Sequence, residues 1–502
     1  MGVTIHGLLE RNARKYSKKE AFITANTRLT YEEMNSITNQ LARNLLQNGV
    51  KRGDRIAIMS RNNEHFFYAF FSLMKIGAIP MPLNIRLTAS ELHAILTNCK
   101  AIGVMYESEL QETVSSIPLA SQLDHLLLPI QELLNSAASF EKTNLNIPID
   151  SRDVCEILFT SGTTGIPKGV LFNHERLLAI ATAISQTFNL SNNDKMLNLM
   201  PLSHSAPLNT FFLSGLYSGT AHVIDDFTPK AFLSYIQEEK TTFSFAAPVA
   251  YLFASKDPDL ATYDLSSMRV FAYGGGPLAL ASYHHVKKAF QNENFYQVYG
   301  LTEVGPNGIL LKPEEHLTKA GSIGKYPTVN MEIRIVNEQG EDTAPNEYGE
   351  VLLTGDSLML GYDHNEAETK AVIRDGWVYT GDIAYKDEDG YMYIVDRKKD
   401  IIISGGVNIY PREVDEVLAK HDSVLESCVI GVPHEEWGET VKAIVVPKGD
   451  VTEEELREFV SAYLADYKCP RQYAFVEQLP RNASGKILKQ QVKKEHSAIL
   501  KS

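Results

Sequence analysis

Ile157-Leu158-Phe159-Thr160-Ser161-Gly162-Thr163-Thr164-Gly165-Ile166-Pro167-Lys168-Gly169 is the stretch from which the rest of the chain can be read. Its apolar start reads as a strand. Its small residues let backbone N–H groups approach phosphate oxygens closely, the hydroxyls add donors, and Lys168 adds charge, so the segment predicts a phosphate loop. It is not the GxxxxGK[ST] loop of P-loop NTPases, because Pro167 and not glycine precedes Lys168, and that reading weakens. Taken alone, the same composition equally describes a Ser/Thr/Gly-rich surface turn, and its neighbours must decide.

Outward from this loop, short β-branched runs alternate with helical stretches, which predicts an α/β chain with largely parallel sheets. Arg55-Ile56-Ala57-Ile58-Met59 reads as a strand. Asn62 to Ile76 follows as a helix, and Phe66, Phe67, Phe70, Phe71, Leu73 and Met74 make it apolar nearly all round, so it should be buried. The polar Glu141 to Arg152 stretch reads as a connector. From about Asp342 the texture becomes that of a small β-rich unit. It ends at the charged run Asp396-Arg397-Lys398-Lys399-Asp400, after which a compact αβ pattern runs to the end. In that tail Thr452 and Glu455 have capping-box spacing, and Leu456, Phe459, Val460, Tyr463 and Leu464 form one apolar stripe at helical spacing. The expected organisation is a large N-terminal domain over 1–396, built of stacked αβ subdomains plus the small β-rich subdomain. A hinge at 397–400 and a small mobile α+β C-terminal domain over 401–502 complete it.

The composition excludes several function classes. With 502 residues, 44% hydrophobic and 22% charged, the chain is neither disordered nor a disulfide miniprotein. A net charge of -14 repels phosphate backbones, which argues against nucleic acid or anionic membrane as the general partner. Cys99, Cys155, Cys428 and Cys469 form no CxxC pair, so zinc-knuckle and CxxC redox sites have no support, and a reducing compartment fits best. The N-terminal stretch has no secretory pattern and no segment approaches the roughly 18 apolar residues of a membrane span, so the expectation is a cytoplasmic protein without a transmembrane segment. A homodimer stays open.

The segment Tyr299-Gly300-Leu301-Thr302-Glu303 supplies a carboxylate. Beside a phosphate loop it is best explained as a Mg²⁺ ligand, since Mg²⁺ is usually held by one or two carboxylates plus substrate phosphates. The loop and this segment, together with Gly274-Gly275-Gly276-Pro277, Tyr379-Thr380-Gly381-Asp382, the DRKKD run and Pro480-Arg481-Asn482-Ala483-Ser484-Gly485-Lys486-Ile487, occur in the order in which they stand in the adenylate-forming superfamily. The chain resembles that superfamily, specifically its acyl-CoA synthetase branch, from about residue 20 to 490. TSGTTGxPKG is its signature.

The resemblance implies roles for individual residues. Thr160, Ser161, Gly162, Thr163, Thr164, Gly165 and Lys168 would cradle the ATP phosphates. Gly275, Gly276 and Pro277 would flank the adenine, Tyr299 would stack on it, and Thr302 would donate to the α-phosphate. Asp382 would accept the ribose hydroxyls, which suits a carboxylate as a two-oxygen acceptor, with Arg397 as a second ribose contact. Lys399 sits at the hinge, and Gly405 and Gly406 would let a pantetheine arm pass close to backbone. Lys486 would be the catalytic cation bridging the attacking carboxylate and the α-phosphate. His204, within Pro201-Leu202-Ser203-His204-Ser205-Ala206-Pro207-Leu208, stands where relatives gate the acyl pocket. The chain departs from their PLFHxxG there, with Ser203 before the His and Pro207 in place of the Gly, so acyl specificity does not carry over.

The implied reaction uses ATP, Mg²⁺ and CoA: a carboxylic acid becomes acyl-AMP with release of pyrophosphate, and then acyl-CoA with release of AMP. Short-chain relatives carry a Trp where this chain has Gly300, which points to a medium- or long-chain fatty acid or an aryl acid. Phe211, Phe212, Phe243, Phe245 and Tyr251 are candidates to line an apolar pocket. Two alternatives stand beside this reading: an acyl-AMP ligase loading a carrier protein, and a non-catalytic nucleotide- or acyl-binding homologue.

Overall fold

The computed structural model describes residues 3–118, 127–160, 167–276, 278, 280–481 and 487–497. The chain forms two compact units, one of residues 1–333 and 353–378, the other of 334–352 and 379–502. The β-rich stretch from about Asp342 thus contributes to both.

The first unit contains an eight-stranded sheet whose centre is parallel. Lys195–Asn198, Ala221–Ile224, Phe243–Ala246, Val270–Gly274 and Phe295–Tyr299 carry nearly continuous apolar runs, as strands covered by helices on both faces must. A second, fully parallel sheet orders Ile79–Pro82, Arg55–Met59, Gly103–Tyr106 and Leu127–Pro129. The expected all-round apolar helix runs over Glu64–Lys75, and Asn63 caps it by accepting from the His65 N–H at 2.9 Å. Phe66, Phe67, Phe70 and Phe71 are all buried, and Phe67 meets Phe212 at 4.4 Å between ring centroids.

A small antiparallel sheet in this unit decides the site. Val154–Thr160 and Lys168–Asn173 pair in a register that sets Thr160 opposite Lys168, and Gly361–Tyr362 adds a third strand. The glycine-rich segment therefore connects two antiparallel strands. In a Walker loop it would lead from strand to helix, so the topology agrees with the sequence in setting this chain apart from P-loop NTPases.

In the second unit, strand Gly438–Pro447 is flanked by Val424–His434, Ile402–Ser404 and a parallel Gln472–Phe475. Ile402, Ile409, Val414, Leu418, Val429, Val441, Leu456 and Val460 make its core. The capping box forms as expected: the Glu455 N–H donates to Thr452 Oγ1 at 3.3 Å and the Thr452 N–H donates to Glu455 Oε2 at 2.8 Å. The stripe, however, is shorter than its sequence spacing predicts. The helix ends at Ser461, so Leu456 and Val460 are buried while Tyr463 falls beyond the last turn and is 57% exposed, with Lys420 over its ring.

Candidate active site

On the first unit, strand Lys168–Asn173 starts with Lys168, whose ammonium pairs with Glu368 at 2.6 Å and lies 5.1 Å from the centroid of the Tyr362 ring. Tyr362 comes from the neighbouring strand of the same sheet. Its hydroxyl donates to Glu303 Oε1 at 2.7 Å. Glu303 itself sits in a single 3₁₀ turn, Thr302–Val304, that follows strand Phe295–Tyr299 and closes on the left-handed Gly305. The Met359 N–H donates to the Glu303 carbonyl at 2.9 Å, which ties this turn to the strand carrying Tyr362. Lys168 and Glu303, far apart in sequence, are thus joined through one phenol. Neither Tyr362 nor Glu368 is among the candidates singled out from the sequence; the signal available was one aromatic among the carboxylates Asp363, Glu366 and Glu368 of the polar segment Gly361 to Thr369.

Gly275 adopts φ +77°, and a side chain built at either Gly275 or Gly276 meets nothing within 4 Å. Both positions border open space at the end of strand Val270–Gly274. Gly300 is different. A Cβ there would lie 2.8 Å from the Pro306 carbonyl carbon and 3.1 Å from the Asn307 nitrogen, so glycine is required by close backbone approach. A larger residue at this position would first displace the 306–307 backbone, whatever it did to an acyl pocket.

His204 precedes a π-helix over Ala206–Phe212, a rare element often found at functional sites. Its Nε2 is buried without a hydrogen-bond partner among the described residues, as is the Oγ of Ser205, and burial lowers the affinity of His204 for a proton. Of the five aromatics expected to line a pocket, three come together: Phe211 stacks on Phe245 at 4.4 Å and contacts Phe243 at 5.5 Å. These three also line a small cavity with Met196, Met200 and Pro207. Phe212 and Tyr251 do not join them. Phe212 packs against Phe67 and His222, and Tyr251 against Phe232 and Phe271, because Phe212 follows Phe211 on the π-helix and points to another side of it, and Tyr251 belongs to the helix Pro248–Ala254 and not to the strand of Phe243 and Phe245.

The second unit brings Asp382 and Arg397 together. They are opposite each other in the antiparallel pairing of Asp382–Lys386 with Met392–Arg397, and Arg397 Nε lies 2.7 Å from Asp382 Oδ1. Asp382 is buried and Arg397 more than a third exposed, which leaves the cation at the surface above a sheltered carboxylate. Glu350 supports this strand: it accepts from the Gly381 N–H at 3.1 Å and pairs with Lys398 at 3.0 Å, a role no motif announced. Lys399 is exposed in the 3₁₀ turn Lys398–Asp400. Gly405 and Gly406 form the left-handed tip of the hairpin between Ile402–Ser404 and Val407–Ile409, with φ +57° and +82°. Ser161, Gly162, Thr163, Thr164, Gly165, Pro277 and Lys486 lie outside the described residues.

The family profile of AMP-binding enzymes matches residues 9–363, and that of the AMP-binding enzyme C-terminal domain matches 413–486. This chain is an AMP-binding enzyme. It belongs to the adenylate-forming superfamily, on its acyl-CoA ligase branch. It is 36% identical over 490 residues to feruloyl-CoA synthase of an Amycolatopsis species, covering 96% of this chain and 97% of that one. To the long-chain-fatty-acid–CoA ligase FadD13 of Mycobacterium tuberculosis it is 34% identical over 506 residues, covering 98% of both. Among solved structures, the O-succinylbenzoate coenzyme A synthetase of Bacillus subtilis in complex with ATP and magnesium ion superposes with a TM-score of 0.87 at 28% identity, over 97% of this chain and 99% of that one. In this AMP-binding enzyme, no helix among the described residues is long and apolar enough to cross a membrane.

Proposed function

We propose that this AMP-binding enzyme activates a medium- or long-chain fatty acid or an aryl acid with ATP to give acyl-AMP and pyrophosphate, and transfers the acyl group to CoA with release of AMP. The observation that carries the proposal is the Lys168–Tyr362–Glu303 linkage, which begins at the residue that opens the second strand of the phosphate-loop hairpin. It joins a cation and an oriented carboxylate through one tyrosine, as a triphosphate and its counter-ion need. Full-length similarity to CoA ligases of fatty and aryl acids supports the acid classes and the acceptor.

Mg²⁺ fits the residues present in one manner. No group of three His, Cys, Asp or Glu side chains that could hold a metal occurs among the described residues, so a protein cage is not the design. One oriented carboxylate, Glu303, suits an ion held mainly by nucleotide phosphates. Bound there, Mg²⁺ would offset the negative charge that builds on the phosphates. The chain's own groups do the rest. Tyr362 holds Glu303 in place, Lys168 and the loop hydroxyls bind phosphate, and Asp382 with Arg397 binds the ribose. The Phe211, Phe243 and Phe245 cluster keeps water from the acyl side, and Lys486 supplies positive charge between the acid and the α-phosphate during adenylation. Thioester formation then needs Lys486 to withdraw, with the turn at Lys399 as the hinge and Gly405 and Gly406 lining the pantetheine path.

Four free and buried cysteines support a reducing, cytoplasmic setting. The test of function is pyrophosphate release across carboxylic acids from acetate to palmitate plus benzoates and cinnamates, with and without CoA. Acid-dependent release that turns over rapidly only with CoA, yielding AMP and an acyl-CoA, is the expected result. Release without CoA stimulation would redirect the reading to a carrier-protein acceptor, and none with any acid would overturn it.

A further inference from the structure

Glu156 lies fully buried in strand Val154–Thr160, four residues before the phosphate loop begins. A carboxylate without a cation is costly there. Among the described residues its carboxyl accepts one hydrogen bond, from Asn209, fully buried in the π-helix, whose Nδ2 donates to Glu156 Oε2 at 2.6 Å. Two oxygens are then left without partners among the described residues, Glu156 Oε1 and Asn209 Oδ1, and they belong to the two side chains that are already bonded. Two acceptors cannot satisfy each other. A single proton on Glu156 Oε1 would satisfy both, as the donor to Asn209 Oδ1, and would close a two-point ring between a carboxylic acid and an amide. Burial independently pushes this carboxyl up to about 8, against the smaller opposing effect of the Asn209 amide.

The π-helix held in this way is a junction. Asn209 fastens it to the strand that enters the phosphate loop. Thr210 Oγ1 donates to the Gly305 carbonyl at 3.3 Å, next to the turn carrying Glu303. Phe211 anchors the aromatic cluster, and His204 and Ser205 stand at its start. We propose that Glu156 is a positioning residue, kept as a neutral carboxylic acid, whose two-point bond to Asn209 sets the π-helix, and with it His204 and Phe211, against the phosphate-loop strand. The positioning role rests on the function proposed above; the protonation state does not.

Infrared spectroscopy of the full chain at neutral pH tests the protonation state without reference to activity. The carbonyl stretch of a buried, hydrogen-bonded carboxylic acid is expected in the native enzyme and should be missing in Glu156→Gln, and its absence from the native enzyme would overturn the proposal. The positioning role is tested by acid-dependent pyrophosphate release. Glutamine can pair with Asn209 at two points, so Glu156→Gln should stay within about threefold of the native kcat/KM for the acid, whereas Glu156→Ala should lose about tenfold or more, mainly as a raised KM for the acid. Equal losses in the two variants, or none in Glu156→Ala, would overturn the positioning role. If Glu156→Ala does not fold, a Glu156→Gln enzyme that loses tenfold would still overturn it.

Discussion

Tyr362 donates its hydroxyl to Glu303 across 2.7 Å while its ring lies beneath the Lys168 ammonium, so one side chain contacts both the carboxylate of the Thr302–Val304 turn and the cation that opens strand Lys168–Asn173. Removing the hydroxyl separates the two effects. Tyr362→Phe keeps the ring under Lys168 and frees Glu303 to turn. It should raise the KM for MgATP and lower the rate of pyrophosphate release by about tenfold, the scale of one lost hydrogen bond to a charged group. An unchanged KM for MgATP would mean that Glu303 is held by other contacts.

Asp382 and Arg397 form an ion pair in the second unit, the pair proposed for the ribose. Asp382→Ala removes the buried acceptor and leaves Arg397 without its carboxylate. Affinity for ATP, read by isothermal calorimetry, should fall by about 10- to 100-fold, with little change in affinity for inorganic pyrophosphate, which has no ribose.

Lys486→Ala should lose roughly 10²-fold or more in adenylation and much less in thioester formation from preformed acyl-adenylate if, as proposed, its charge acts only in the first half-reaction. Rapid-quench measurement of each half-reaction distinguishes the steps. An equal loss in both would contradict an arrangement in which this lysine leaves after adenylation.

Gly300 is held by backbone contact, with Pro306 at 2.8 Å from where a Cβ would stand. Gly300→Ala should therefore destabilise the fold by about 1–3 kcal/mol. Thermal unfolding should show it as a lower Tm even without ligand, whereas a residue that only bounded an acyl pocket would leave the Tm of the free enzyme unchanged.

Three histidines in the core of the first unit are buried as neutral rings. Burial holds His174 down to about 4 and His222 to about 3, and holds His6 well below the ordinary value with help from His174 and Lys75. The unfolded chain, with ordinary imidazoles near 6.5, binds more protons than the native one below that pH. The stability these groups contribute is therefore complete above about pH 6.5 and is lost as pH falls toward 4. Urea midpoints measured from pH 7.5 to 4.5 should fall steadily, and His222→Asn should flatten part of that slope.

Much of the fold was legible because its signals are local. The all-round apolar run at Phe66 to Met74 announces a buried helix, and Thr452 with Glu455 announces a helix start. The phosphate loop, Glu303, Asp382 and the glycines at 275, 276, 405 and 406 stand in ordered motifs, so family, reaction class and candidate residues followed from the chain itself. Contacts between distant positions were not legible. Lys168 meets Glu368 200 residues away, Glu303 meets Tyr362 59 residues away, and Glu156 meets Asn209 53 residues away, none of them inside a repeating pattern. Sequence spacing also left five aromatics as equal candidates for one pocket, and only packing sends Phe211, Phe243 and Phe245 to one place and Phe212 and Tyr251 elsewhere. Residue type and order determine which chemistry is available. Burial and the pairing of distant strands determine which carboxyl carries charge, which glycine admits no side chain and which phenol orients the site, because dielectric, steric clash and hydrogen bonding act through space and not along the chain.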